Sequence, residues 1–210
     1  MAKSATVVKL DTGETPYSTE QLTPMRRIRV TIEGRTPLLT HNPQAMGMAP
    51  RTGRGTRIPE PEDEAEAGCY RLSDGSLAIK GEAARGAILH AAGEWKVKRS
   101  ATMKSRLSHI TVIEELVPLL DPHGGAPLTS YVIDRRRAIV QRQGVLRARP
   151  KFDAWACTFT IEFDPVLVPE PKLILDILQD AGGRIGVGDY RPNRGGWFGR
   201  FAVRSYQFLD

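Results

Sequence analysis

Apolar and polar positions alternate most cleanly at two places in this chain. Over Arg26–Glu33, Ile28, Val30 and Ile32 face one way, with Arg27, Arg29 and Thr31 opposite. Trp155–Phe163 repeats the pattern, setting Trp155, Cys157, Phe159, Ile161 and Phe163 against Ala156, Thr158, Thr160 and Glu162. A period of two is that of a strand with one buried face. Between them the spacing shifts to three and four. Ala84, Ala87, Ile88, Ala91, Ala92 and Trp95 form one face of a helix expected over Gly81–Lys98. A second helix is expected after Pro169 and Pro171, with Leu173, Ile174, Ile177 and Leu178 on its apolar side and Gly182 stopping it.

Shorter apolar pieces fill the gaps. Leu38-Leu39 follows a Gly34…Pro37 turn, and Leu77–Ile79, His109–Leu120 and Phe201–Phe208 read as strands. Tyr131–Lys151 reads as a hairpin turning at Gln143-Gly144. The order is β, β, loop, α, β, β-hairpin, β, α, glycine-rich loop, β. It predicts an α+β fold, a ferredoxin-like (RRM-like) antiparallel sheet with two main helices, a long inserted loop and a basic β-hairpin. Residues 25–210 are expected to form a single domain behind a flexible N-terminal arm, 1–24. Residues 43–68 lack periodicity, begin basic (Arg51, Arg54, Arg57) and turn acidic (Glu60, Glu62, Asp63, Glu64, Glu66). They are expected to be a mobile loop.

Composition adds a partner class. The net charge is +6 over 210 residues, which points to a polyanion. Arginine outnumbers lysine 22 to 8, and its planar fork suits phosphate and stacks on bases. Two cysteines, Cys69 and Cys157, are too few for a disulfide scaffold or a zinc site and read as reduced thiols in a cytoplasmic protein. No apolar run is long enough to span a membrane, and the N-terminus lacks the pattern of a secretory signal. No cofactor is expected.

Two stretches concentrate the charge. The hairpin carries Arg135, Arg136, Arg137, Arg142, Arg147, Arg149 and Lys151 with no acid after Asp134. Such a ribbon is either splayed into water or contacts phosphates. The run 182–201 holds seven glycines, four arginines (Arg184, Arg191, Arg194, Arg200) and the aromatics Tyr190 and Trp197. Glycine permits positive φ and close backbone approach, whether for a ligand or for a tight turn. With arginines and flat rings threaded through it, the loop suits a single nucleic-acid strand. Lys80 and Arg85 stand at the start of the first long helix, an unusual place for cations: either an anion binds between them or they are a solvated pair. The candidate interface is therefore Lys80, Arg85, Arg135, Arg136, Arg137, Arg142, Arg184, Arg191, Arg194, Trp197 and Arg200, with no catalytic or metal-binding residue.

Three of these pieces, in this order, resemble the RAMP superfamily, ferredoxin-like proteins that include the backbone subunits of CRISPR effector complexes. They are the strand ending Gly34-Arg35-Thr36-Pro37-Leu38-Leu39, the segment Leu77-Ala78-Ile79-Lys80-Gly81-Glu82-Ala83-Ala84-Arg85-Gly86, and the loop Gly182–Phe201. The chain is short for such a subunit, and it shows no clear counterpart of the acidic residue with which some members cut target RNA. The resemblance implies a non-enzymatic protein that binds single-stranded RNA, or DNA, and packs side by side along it as a homo-oligomer, filament or part of a ribonucleoprotein. Two alternatives stand beside it. One is an endoribonuclease of the same family using His41; the other is a scaffold protein with a basic surface.

Overall fold

The computed structural model describes residues 24–43, 60–98, 101–140 and 143–209. The expected arm falls almost wholly outside them, as do residues 44–59 of the expected loop and Arg142 of the candidate interface. β1 (Arg26–Gly34) and β2 (Leu38–Leu39) precede α1 (Pro61–Ala67), and β3 (Tyr70–Arg71) and β4 (Leu77–Lys80) lead straight into α2 (Gly81–Ala92). β5 (Lys96–Lys98), β6 (Ala101–Thr102), α3 (Met103–Arg106), β7 (Thr111–Val112) and β8 (Leu116–Pro118) follow. The second half holds β9 (Val132–Val140), β10 (Gln143–Phe152), β11 (Ala156–Phe163), α4 (Lys172–Arg184) and β12 (Phe201–Leu209).

The architecture is mixed α+β with antiparallel sheets. The central sheet has the order β12-β1-β11-β7, so the first strand lies between two of the last. Register follows from the alternation: Ile28 stands opposite Ile161, Val30 opposite Phe159, and Ile32 opposite Cys157. A slip of one residue would turn that whole row to the other face. The opposite face carries polar cross-strand pairs, Arg27 Nε to Glu162 at 2.9 Å and Thr31 to Thr158 at 2.9 Å. Beneath the apolar row, Ala84, Ala87, Ile88 and Ala91 of α2 and Ile174, Ile177, Leu178 and Ala181 of α4 join one continuous core. Two smaller sheets, β2-β10-β9 and β3-β4-β8, extend from it and carry the basic hairpin and the approach to α2.

Several elements differ from the sequence expectation, each for a local reason. The first long helix ends at Ala92, before Gly93; Trp95 lies beyond it, its indole N–H donating to Asp180 of α4 at 2.8 Å. Gly182 does not stop α4, which runs on to Arg184. A Cβ at Gly182 would stand 2.8 Å from the Phe201 ring, so this glycine lets helix and strand touch. The single strand expected over His109–Leu120 is split into β7 and β8. At the break, Glu114 accepts a hydrogen bond from the Thr160 N–H at 2.8 Å and Glu115 O accepts one from the Gly81 N–H at 2.8 Å. The acidic end of the expected loop is α1, with Pro61 in its first turn and Glu62, Asp63 and Glu64 placed where the helix dipole favours them.

Candidate nucleic-acid interface

β9 and β10 pair from Val140–Gln143 down to Val132–Lys151. Their charge is far less naked than the sequence suggests. Arg135 meets Glu62 at 2.9 Å, and Arg147 meets Glu64 at 2.8 Å. The other oxygen of Glu64 accepts the Ala148 N–H at 3.0 Å, and its side chain is only 8% exposed. Arg136 holds Asp134 with two bonds, Arg149 pairs with Asp189 at 2.6 Å, and Lys151 with Asp153 at 3.0 Å. α1 is therefore an acidic clamp on the ribbon, a role the sequence reading missed. Its signal was present: proline followed by three acids marks a helix N-terminus. Arg137 is exposed and has no acidic partner among the described residues.

The glycine-rich loop is closed on itself. Positive φ occurs at Gly186 (70°), Gly188 (75°), Gly195 (76°) and Gly199 (66°), and at one non-glycine, Tyr190 (48°). The Val187 N–H donates to Gly199 O at 2.9 Å, the Asp189 N–H to Leu39 O at 2.8 Å, and the Phe198 N–H to Tyr190 O at 3.1 Å. Cβ atoms at Gly188, Gly196 and Gly199 would run into the carbonyls of Leu39, Tyr190 and Val187 respectively. These glycines serve the close approach of the protein's own backbone, and the amides they free are used internally. What the loop offers a ligand is its side chains.

Those side chains divide into two groups. Arg184 is held by Asp180, one helical turn away, and Arg85 donates to Ile110 O (2.7 Å) and Ser108 O (2.8 Å). Both act as ties within the fold. Arg200 donates to Gly183 O at 3.1 Å and remains exposed. Arg194 is exposed at the end of a short 3₁₀ helix, Pro192–Arg194, with no acidic partner among the described residues. Trp197 is 56% exposed, its ring 4.5 Å from that of buried Phe198. Arg136 joins ribbon to loop: its guanidinium lies 4.5 Å from the Phe198 ring centre and 5.5 Å from that of Tyr190. Arg149 lies 4.9 Å from Tyr190 as well.

A cleft of about 390 Å³ lies between the loop and α2, with Lys80, Arg191, His41, His90, Tyr70 and Glu82 in its lining. Lys80 Nζ stands 5.9 Å from the Tyr70 ring, and the Tyr70 hydroxyl donates to His41 O at 3.2 Å. Arg191 donates to Gly188 O at 2.8 Å, and burial, then neighbouring Arg194, lowers its pKa. Burial also lowers that of His41, opposed by Asp189 and reinforced by Arg149. Lys80 and Arg191, expected from the sequence at the helix start and in the glycine-rich loop respectively, thus line one space, which Glu82, His90 and Tyr70 share.

Comparison with protein-family models finds no match, and comparison with curated proteins finds none either. No helix among the described residues is long and apolar enough to cross a membrane.

Proposed function

We propose that this chain is a non-enzymatic protein that binds single-stranded nucleic acid, RNA ahead of DNA, and assembles side by side along the strand. The order β12-β1-β11-β7, with α2 and α4 packed together, supports a ferredoxin-like fold of the RAMP type. The observation that carries the binding reading is the junction at Arg136. It joins the basic ribbon, which carries exposed Arg137, to the glycine-rich loop, which carries exposed Arg194 and Trp197. Guanidinium groups without carboxylate partners beside a supported, exposed indole suit phosphates and a stacked base.

The test is a salt titration with labelled oligonucleotides. For a single strand the slope of log K against log[salt] is about −0.7 per phosphate neutralised. Arg137→Ala and Arg194→Ala should each flatten the slope by roughly one contact. A slope near zero in the wild type, or tighter binding to duplex, overturns the reading. Labelled RNA should remain intact throughout. Cutting by the wild type that disappears in His41→Ala would move the protein to the endoribonuclease class.

A further inference from the structure

We propose that the cleft between α2 and the glycine-rich loop is a slot for one nucleobase of the bound strand, selecting bases that carry an exocyclic amino group. This rests on the strand-binding reading above. The cleft's size, about 390 Å³, is within the range of small-ligand sites. Four buried apolar side chains line it, Ile79 and Ala87 on the α2 side and Ile185 and Val187 on the loop side, among polar ones that include His41, His90 and Asp189. Lys80 and Arg191 also line the space and supply positive charge that the strand's phosphates would meet. Glu82, exposed on the first turn of α2, adds a carboxylate without a cationic or hydrogen-bond partner among the described residues.

Gly86 is the second observation. It sits in the interior of α2, where glycine is disfavoured relative to alanine. Packing does not explain it: a Cβ built there would meet no atom within 4 Å, and the position lines the cleft. It contrasts with Gly81 and Gly182, whose added Cβ atoms would strike Glu114 and Phe201. Gly86 keeps the floor of the slot clear where a ring can lie against the helix backbone. Glu82 then faces the ring edge as a pure acceptor, matched by an amino group such as that of cytosine and opposed by the carbonyl that uracil presents there.

Oligocytidine and oligouridine of equal length separate the possibilities, since they share a backbone and ring size. At pH 7.5 the wild type should bind oligocytidine at least roughly five-fold more tightly, with the same salt slope for both. Glu82→Ala and Gly86→Leu should each bring that ratio to about one, and Gly86→Leu should melt no lower than the wild type. Equal affinities in the wild type, or a preference that survives both substitutions, overturn the slot while leaving strand binding intact. Failure to bind either oligonucleotide overturns the strand reading, and the slot with it.

Discussion

Trp197 and Gly199 stand two residues apart and answer to different demands. Trp197 leaves more than half its surface exposed while Phe198 beneath it is buried, so its indole contributes little to the core. Gly199 is at φ 66°, and a side chain there would collide with the Val187 carbonyl. Trp197→Ala should therefore weaken strand binding by about 1–3 kcal/mol, as stacking on an aromatic does, with the salt slope and melting temperature unchanged. Gly199→Ala should cost about 1–3 kcal/mol of stability and lower Tm by several degrees. Its binding measured well below that Tm should stay close to wild type. Calorimetry and fluorescence anisotropy on the two variants check the pair. A large fall in Tm for Trp197→Ala would make the tryptophan a packing residue.

At the level of elements, the clamp of α1 on β9 and β10 sets a contrast between two glutamates of one helix. Glu64 is buried and holds both Arg147 and the Ala148 N–H, whereas Glu62 meets Arg135 in the open, with more than half of each side chain exposed. Glu64→Ala should cost about 1–3 kcal/mol, because a buried N–H and a partly buried guanidinium lose their acceptor. Glu62→Gln should cost no more than about 1 kcal/mol. Amide exchange across Leu146–Arg149 should rise in the first and not in the second.

The same elements show what the sequence could reveal. Ile28, Val30 and Ile32, the face of α2 and the apolar stripe of α4 were all legible, because their periods are local. Gly182 and the glycines of the loop were legible as special but not in purpose. What each one touches, Phe201, Leu39, Tyr190 or Val187, is far away along the chain or across a closed loop. Similarly, the positive charges of the ribbon could be counted, but their neutralisation by Glu62, Glu64 and Asp189 depends on contacts spanning some 40 to 80 residues. Of the candidate site, Lys80 and Arg191 line the cleft, Arg136 joins ribbon to loop, Arg137, Arg194 and Trp197 are exposed, and Arg85 and Arg184 are tied into the fold.

Taken whole, the molecule carries a net charge of +6, and many of its arginines are paired internally. Affinity should come from a few free cations and an aromatic, multiplied along a strand by successive copies. On this reading, light scattering should give particles whose mass grows with oligonucleotide length. A constant mass with short and long strands would count against side-by-side assembly.

The pairing of β1 with β11 and β12 also dictates an order of events during synthesis. Arg27 and Glu162 are 135 positions apart, and β12 ends only at Leu209. At about 5–20 residues per second, the row Ile28, Val30, Ile32 leaves the ribosome on the order of ten seconds before either neighbour exists. During that interval it is an apolar strand with two open edges, the kind of segment that chaperones hold and that aggregates when they do not. β1 is thus made long before it can be paired, and the yield of folded protein should be limited by how that strand is sheltered as it waits.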